Sequence, residues 1–224
     1  MAAVPDLPRM RRDYGNGRRD GRPGLSEQDL AATWVEQFDR WFADAVAAEL
    51  PEPNAVVVAT ADADGAPDAR IVLMKGYDVT GFVFGTSYAS AKGAQLAVNP
   101  RAALVFPWHA MQRQVRVTGR VERIGDPASD ALWDPRPRGA QLAAVASVQS
   151  TAVDSREELE ERVRLLDEET PPGGVPRPPI WGGYRVVPDT VEFWQGGADR
   201  LHDRLTFVRD DEEGGAWVVR RLAP

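Results

Sequence analysis

From Asn54 to the C-terminus the chain is a series of short segments rich in β-branched and aromatic residues, separated by turn signals. Asp64-Gly65, between the segments 55–60 and 68–75, is a strong β-hairpin signal. We predict that both segments are strands and that the chain reverses near 76–78. Further strands are predicted at 81–86, 102–108, 113–123, 184–187, 191–194, 205–209 and 216–222. Glu213-Gly214-Gly215 is predicted to close the last hairpin. Such a series predicts a mainly antiparallel β fold that forms a small closed or partly split barrel.

Helical periodicity predicts helices before this β series and between some of its strands. Ser26 is the expected N-cap of a helix that ends before Pro51, and its apolar stripe is Leu30, Trp34, Phe38, Trp41, Phe42 and Ala45. Aromatic stripes of this kind usually pack in a core, so we assign it no cofactor. Peripheral helices are also predicted at 90–98, 126–134, 139–146 and 155–169, whereas the prolines of 171–179 exclude a helix there.

A chain of 224 residues is long enough for one domain with a substantial core. Residues 1–24 mix arginines with Gly, Asn and Pro and contain few apolar residues, which predicts a flexible N-terminal arm. Residues 25–224 are predicted to form a single domain.

Composition excludes several classes of function. The net charge of −7 argues against a general nucleic-acid or membrane-surface binder. With no cysteine and two histidines, neither a thiol nucleophile nor a usual zinc site is available, so we predict no metal. No apolar run approaches a membrane span, no signal-peptide core is visible, and we expect a cytoplasmic protein. Walker, Rossmann and hydrolase motifs are also missing, so any phosphate must be bound by side chains.

The segment 192–204 combines aromatic residues, a Gly pair and several cationic donors. If the part after Ala198 is extended, Arg200, His202 and Arg204 share one face and could converge on an anion. The alternative is a solvated, Arg-rich edge strand.

Other candidate residues lie on the predicted strands and helices. Arg70 and Lys75 flank an apolar strand and face opposite sides unless the strand contains a bulge. Lys92 follows Ser90 at a helix start, where an anion is favoured, and Lys75 and Lys92 are the only lysines among 27 basic residues. Gln114, Gln149-Ser150-Thr151 and Arg136-Pro137-Arg138 supply further donors, although each also suits an ordinary surface strand or turn.

Taken together, these segments resemble the pyridoxamine 5'-phosphate oxidase family, flavin enzymes that make pyridoxal 5'-phosphate. The matching segments follow the family's order over nearly the whole chain: Arg11 to Tyr14, Arg70 to Lys75, Phe106 to His109, Arg113 to Val115, Arg136 to Arg138, Gln149-Ser150, Trp181 to Tyr184, Glu192 to Arg204 and Arg221 to Pro224. The resemblance implies a Greek-key, FMN-binding split β-barrel that forms a homodimer with FMN at the interface. It also implies oxidation of pyridoxamine 5'-phosphate and pyridoxine 5'-phosphate by O₂ to pyridoxal 5'-phosphate, with release of H₂O₂, in vitamin B6 biosynthesis or salvage.

The resemblance assigns roles residue by residue. The implied catalytic residues are Arg200 and His202. The implied FMN contacts are Arg70, Ile71, Val72, Leu73, Met74, Lys75, Gly85, Thr86, Ala91, Lys92, Gln114, Gln149, Ser150, Trp194 and Arg204. The implied substrate contacts are Arg11, Arg12, Asp13 and Tyr14 as a lid, Lys75, Leu132, Arg136 and Ala140 near the substrate phosphate, and Arg200, Leu201 and His202 over the ring.

Four positions depart from the family pattern. Leu132 stands where a Tyr is usual, Ala140 lies where a Ser is common, Ala91 replaces an Arg, and Gly85 replaces an aromatic residue. Each hydrogen bond lost to a charged group typically costs about 1.5 to 3 kcal/mol, so we expect weaker phosphate binding unless other donors substitute. These departures leave open a non-catalytic carrier of FMN or pyridoxal phosphate. A second rival is a related flavin oxidase acting on another aromatic substrate, as in phenazine biosynthesis, although the lid and Arg136 argue against it.

Overall fold

The structure is a computed structural model that describes residues 6, 10, 14, 24–210 and 215–224. It contains two compact units. The barrel unit comprises Asn54–Phe106 and Val117–Asp189, and the terminal unit comprises Met1–Pro53, Pro107–Arg116 and Thr190–Pro224. Most of the predicted arm, including Arg11, Arg12 and Asp13, lies outside the described residues.

The barrel unit is a closed antiparallel barrel of six strands, which confirms the predicted fold. Its strands are β1 (Ala55–Ala61), β2 (Pro67–Asp78), β3 (Gly81–Ser87), β4 (Arg101–Phe106) and the parts of β5 (Arg113–Arg123) and β6 (Trp181–Gln195) that belong to this unit. The strand order is β3-β2-β1-β4-β5-β6, and β6 pairs again with β3 to close the ring.

The first hairpin forms where the sequence predicts it. In β1, Val56 and Val58 point into the core and their neighbours are partly exposed, as expected for a strand with one buried face. In the turn, the Asp62 carboxylate accepts the N–H groups of Asp64 and Ala66 at 3.0 and 2.9 Å. Gly65 has φ +83°, a conformation that favours glycine, so the Asp-Gly signal has a direct structural cause.

The predicted reversal at 76–78 is wrong, because β2 continues to Asp78. The pairing with β3 shifts register between Met74 and Gly76, so a bulge at Lys75 extends the strand. The turn instead follows Asp78, whose carboxylate accepts the Thr80 N–H at 2.7 Å. Gly81 then has φ +138°, and a Cβ there would meet Val186 O at 2.1 Å.

Four helices accompany the barrel: α2 (Ala91–Val98), α3 (Asp126–Trp133), α4 (Arg138–Ala146) and α5 (Arg156–Glu169). Their bounds agree with the predicted helices to within a residue or two. The predicted strands 184–187 and 191–194 are parts of one strand, β6, because Pro188 between them keeps an extended backbone.

The terminal unit contains α1 (Trp34–Ala47), the remainder of β6, β7 (Asp203–Asp210) and β8 (Ala216–Arg221), with β6-β7-β8 antiparallel. The aromatic stripe of α1 packs in its core, as the sequence indicates. The Trp41 ring meets Phe193 edge-on with centroids 5.3 Å apart, and Phe193 meets Phe207 at 5.9 Å.

Ser26 is not the N-cap of α1, contrary to the sequence-based expectation. The helix begins after Thr33, whose hydroxyl accepts the Glu36 N–H at 3.3 Å while the Glu36 carboxylate accepts the Thr33 N–H at 3.2 Å. This reciprocal capping box satisfies two backbone donors. Ser26 instead closes a separate turn, donating its hydroxyl to Asp29 at 2.6 Å.

Candidate functional site

The barrel unit contains an open cleft of about 740 Å³. Residues from β2, β3, α2, α4 and the loop after α4 line it, although they are far apart in sequence. The cleft brings together these predicted site residues: Arg70, Ile71, Val72, Gly85, Thr86, Ala91, Lys92, Arg136, Ala140, Gln149 and Ser150.

Lys92 is the most buried cation of the cleft, with 5% of its surface exposed. Its ammonium donates to Thr86 Oγ1, Ser90 Oγ and Gln149 Oε1 at 3.2, 3.3 and 3.3 Å. These acceptors are all neutral, and burial, followed by the nearby charge of Arg70, lowers the Lys92 pKa. A bound anion would therefore relieve a charge that the described residues do not neutralise by direct contact.

The local sequence explains how Lys92 is placed. Ser90 caps α2, its hydroxyl accepting the Gly93 N–H at 3.2 Å, so the helix starts directly beside the lysine. Gly93 cannot be a larger residue, since a Cβ would meet Tyr88 O at 2.2 Å.

Arg70 lies on β2 with its guanidinium fixed by neighbours in the same unit. It donates to Thr60 Oγ1 at 2.6 Å and to Val58 O at 3.3 Å, and forms an ion pair with Asp68. Asp68 lies two residues earlier on the strand and so faces the same side, a signal that could have identified it from sequence.

Arg136 is the third cation of the cleft. Its guanidinium lies 4.9 Å from the Trp181 ring and 5.4 Å from the Trp133 ring, and Nη2 donates to Ala140 O at 2.9 Å. Burial lowers its pKa. Within the described part of the chain, its buried Nε–H has no hydrogen-bond partner.

The charges lining the cleft are unbalanced. Among the described residues, Arg70, Lys92 and Arg136 oppose one carboxylate, Asp68. An excess of two positive charges in a protein of net charge −7 indicates a local anion site.

Sequence reasoning missed several lining residues, including Asp68, Ser147 and Trp181. The segment Trp181-Gly182-Gly183 offered a signal for the last one. A Cβ at Gly182 would meet the Tyr88 hydroxyl at 2.1 Å, and one at Gly183 would meet Ile124 Cδ1 at 2.3 Å. The Gly pair therefore lets β6 approach its neighbours closely beside the tryptophan.

Four predicted barrel-unit residues do not line the cleft: Leu73, Met74, Lys75 and Leu132. Met74 points into the core and is 6% exposed, whereas Lys75 is exposed at the bulge. Leu132 packs against the cluster of Trp133, Leu142, Val175 and Trp181.

In the terminal unit, Trp194 and His202 lie together, with ring centroids 4.6 Å apart. The Tyr14 ring meets them edge-on at 6.0 and 5.8 Å. The Gly197 N–H donates to His202 Nδ1 at 3.1 Å. Burial lowers the His202 pKa, the charge of Arg200 lowers it further, and Asp203 opposes both.

The expected extended face of Arg200, His202 and Arg204 is wrong. Residues 198–200 form a 3₁₀ turn, and Asp199 and Arg200 both have positive φ, 51° and 68°. The loop is tight, because a Cβ at Gly197 would meet Leu201 O at 2.0 Å. Arg200 and the exposed Leu201 therefore leave the alternating pattern of a strand.

Arg204 is held by Glu192, a carboxylate that is 6% exposed. Its Nε and Nη2 donate to the two carboxylate oxygens at 2.8 and 3.1 Å, and Nη1 donates to Ala223 O at 2.9 Å. Arg116 also reaches Glu192, at 3.2 Å, from the strand that carries Gln114.

Comparison with known proteins shows the family. The model of the pyridoxamine 5'-phosphate oxidase family matches residues 42–167, which is more than half of the chain. The chain belongs to this family. A second model, the pyridoxine 5'-phosphate oxidase C-terminal dimerisation region, matches residues 181–224.

Relatives within the pyridoxamine 5'-phosphate oxidase family align over most of the chain. The pyridoxine/pyridoxamine 5'-phosphate oxidase of Salinispora arenicola is 56% identical over 202 residues, covering 90% of both chains. That of Cupriavidus necator is 52% identical and covers 99% of this chain and 100% of its own. The relatives are thus named as enzymes of this type.

Solved structures support the fold. PhzG from Burkholderia lata, in complex with tetrahydrophenazine-1-carboxylic acid, has a TM-score of 0.82 and 32% identity, covering 89% of this chain and 98% of its own. A related FMN-binding protein from Nostoc punctiforme has a TM-score of 0.69 at 19% identity, covering 88% of this chain and 99% of its own, which supports the fold alone.

Two features of the described residues bear on other classes of function. None of the helices in these residues is long and apolar enough to cross a membrane. The same residues contain no group of three or more acidic or histidine side chains arranged to hold a metal ion.

Proposed function

We propose that this protein is an FMN-dependent oxidase that converts pyridoxamine 5'-phosphate and pyridoxine 5'-phosphate to pyridoxal 5'-phosphate. O₂ is the acceptor and is reduced to H₂O₂, and with the amine substrate water supplies the aldehyde oxygen and ammonia is released. The observation that carries the proposal is the cleft of the barrel unit, where Arg70, Lys92 and Arg136 face one carboxylate among the described residues. Both the cofactor and the substrates carry a phosphate group. Membership of the family supports the same reading.

The residues of the cleft fit the phosphate of FMN. Lys92 is buried among neutral acceptors, Thr86 supplies a hydroxyl, and Arg70 presents a guanidinium held in place by Thr60. Such charge-assisted donors are the usual ligands of a phosphate group. Further FMN contacts proposed by resemblance are Ile71, Val72, Leu73, Met74, Lys75, Gly85, Ala91, Gln114, Gln149, Ser150, Trp194 and Arg204.

When bound, FMN would supply the redox chemistry, taking two electrons from the substrate carbon and passing them to O₂. The protein's residues would orient the substrate. Arg136 would hold the substrate phosphate, and the family resemblance assigns Lys75, which does not line the cleft, to the same phosphate. Residues 11–14 would act as a lid. Arg200 and His202 would position the ring and stabilise negative charge that develops on it.

Local hydrogen bonds define what two of these side chains can donate. His202 accepts the Gly197 N–H at Nδ1, so its neutral ring carries the proton on Nε2, which is then the donor. Arg204 uses one N–H of each nitrogen for Glu192 and Ala223, which leaves one N–H on Nη1 and one on Nη2.

The match to a C-terminal dimerisation region supports a homodimer. We propose that FMN binds at its interface, as the family resemblance implies. Size-exclusion chromatography with light scattering gives the mass in solution, and a monomer that retains FMN and full activity would contradict this part of the proposal.

The decisive experiment combines the flavin spectrum with an H₂O₂ assay. The purified protein should be yellow with FMN and release H₂O₂ when pyridoxamine or pyridoxine 5'-phosphate is added. Replacing Arg200 with Ala should lower turnover strongly while FMN stays bound. Unchanged kinetics in that variant would remove Arg200 from the mechanism.

A second candidate is an oxidase of the phenazine type, favoured by the similarity to PhzG at 32% identity. It is tested by offering tetrahydrophenazine-1-carboxylic acid, which should be turned over faster than either phosphorylated substrate. A non-catalytic carrier is the third candidate, motivated by the departures at Leu132, Ala140, Ala91 and Gly85. A yellow protein that oxidises none of these compounds but binds pyridoxal 5'-phosphate would favour the carrier.

A further inference from the structure

The neighbours of Arg136 differ from those of the other two cations in the cleft. Arg70 is paired with a carboxylate, and Lys92 donates to three neutral oxygens. Arg136 is held by two indole rings and one carbonyl, and its Nε–H lacks a partner among the described residues. Its position thus depends largely on aromatic rings.

Of the two rings, Trp181 is the one whose replacement would alter the lining of the cleft. Trp181 lines the cleft and its ring centre is 4.9 Å from the guanidinium carbon, whereas Trp133 is 5.4 Å away and is not among the described lining residues. Trp133 is also anchored independently, since its Nε1 donates to Val175 O at 2.7 Å. The two rings meet edge-on, with centroids 4.9 Å apart.

The position of the Trp181 ring depends on Gly85. On the paired strands β3 and β6, Trp181 is opposite Ser87, and its ring lies over Gly85 two residues away. A Cβ at residue 85 would meet Trp181 Cη2 at 2.9 Å and Cζ2 at 3.0 Å. Any side chain at this position would therefore displace the indole unless the strands moved.

We propose that Trp181 is a positioning residue for the anionic group of the substrate, and that Gly85 is the residue that makes room for it. The indole holds the Arg136 guanidinium by stacking and cation–π attraction, which are strongest for a desolvated arginine. The guanidinium is then presented to a phosphate monoester at a fixed position. This inference rests on the proposed function, in which Arg136 binds the substrate phosphate.

The test compares substrates with and without the phosphate. For Trp181→Leu, we expect KM for pyridoxamine 5'-phosphate to rise about tenfold, the loss expected for a desolvated cation–π contact. Trp181→Phe, which retains a ring, should lose less and guards against a folding failure of the Leu variant. In both variants kcat, and kcat/KM for unphosphorylated pyridoxamine, should stay within about twofold of wild type, because neither depends on the Arg136–phosphate contact.

Phe106→Leu is the matched control. Phe106 is fully buried in the same unit and packs on Phe82 at 5.6 Å, so the variant loses a similar core aromatic away from the cleft. It should be destabilised in urea unfolding without a selective change in KM for the phosphorylated substrate. A fall in kcat/KM of the same size for both substrates in the Trp181 variants would show a merely structural role and overturn the proposal.

A double-mutant cycle tests the role of Gly85. Gly85→Ala alone should weaken binding of pyridoxal 5'-phosphate, measured by titration, because the new methyl displaces the indole. In the Trp181→Phe background, Gly85→Ala should reduce the affinity for pyridoxal 5'-phosphate much less, because phenylalanine lacks the Cη2 and Cζ2 atoms that the new methyl would meet. Equal losses of affinity in both backgrounds would overturn the link between the two residues.

Failure of the proposed function would be recognised separately. If the FMN-loaded wild-type protein oxidised neither phosphorylated substrate, the oxidase assignment would fail. The dissociation constant for pyridoxal 5'-phosphate would still decide the inference: a rise of about tenfold in Trp181→Leu, with none in Phe106→Leu, supports it. No difference between the two variants overturns it.

Discussion

The backbone N–H of Gly197 donates to Nδ1 of His202 at 3.1 Å, and this contact fixes the neutral form of the imidazole. A protonated ring has a hydrogen on both nitrogens, so it cannot accept this bond. Burial and the neighbouring Arg200 oppose protonation as well, while Asp203 favours it, and the net effect lowers the His202 pKa below 6.5. The rings of Trp194 and Tyr14 complete the surroundings.

We predict that this contact makes stability depend on pH. Because the folded pKa lies below the unfolded one, the contribution of His202 is complete above pH 6.5 and is lost as the pH falls through the folded pKa. Urea unfolding of the ligand-free protein at pH 7.5 and 5.5 measures the effect. His202→Asn keeps an oxygen that can accept from Gly197 but does not titrate, so it should show a smaller difference. An equal difference in both proteins would contradict the prediction.

A second prediction concerns Lys92, which is buried among neutral acceptors and has a lowered pKa. Replacing this buried cation, whose charge the described residues do not neutralise by direct contact, by Met should raise the free energy of unfolding of the ligand-free protein by about 1 kcal/mol. The same change should weaken FMN binding by at least about tenfold, because a charge-assisted bond to phosphate is lost. Urea unfolding and flavin titration give the two values.

Arg101→Met is the control for Lys92. Its guanidinium is exposed and pairs with Asp189 on the surface of the same unit. Exposed pairs contribute little, so both the stability and the FMN affinity should stay within about 0.5 kcal/mol of wild type. If Lys92→Met destabilised the ligand-free protein, Lys92 would be a residue that stabilises the fold, and the prediction would be wrong.

The barrel could be predicted from the sequence because its signals are local. Asp62 and Gly65 make a turn whose side-chain acceptor and positive φ follow from residue type. The cap of α1 could not be predicted with the same ease. The same pattern of a hydroxyl followed by a carboxylate occurs twice, in Ser26 with Asp29 and in Thr33 with Glu36. Which of the two hydroxyls caps the helix depends on which position lets the aromatic stripe pack in the core.

The cleft required more than local signals. Arg70, Lys92 and Gln149 come from a strand, a helix start and a loop, and nothing in their spacing gives the distances between them. Family resemblance supplied that grouping. The loop containing Asp199 and Arg200 was mispredicted because positive φ at non-glycine residues is set by the tight closure at Gly197 and leaves no sequence pattern.

A third prediction concerns Glu192, whose buried carboxylate accepts two bonds from Arg204 and one from Arg116. Glu192→Gln keeps the shape but removes the charge, leaving Arg204 unpaired. We expect a loss of about 2 kcal/mol, less than for a fully buried pair, because the Arg204 side chain is 24% exposed. Glu160→Gln, which removes one partner of an exposed pair with Arg156, should cost less than about 0.5 kcal/mol in the same unfolding assay.

The fourth prediction separates the two possible caps of α1. Thr33→Ala removes the hydroxyl that accepts the Glu36 N–H and leaves one helix donor without its side-chain acceptor. This should lower the free energy of unfolding by about 1 kcal/mol. Ser26→Ala removes an exposed bond to Asp29 outside the helix and should cost less than about 0.5 kcal/mol. The two variants lose the same kind of hydroxyl, so the difference between them measures the capping box itself, and a larger loss from Ser26→Ala would place the start of the helix where the sequence first suggested it.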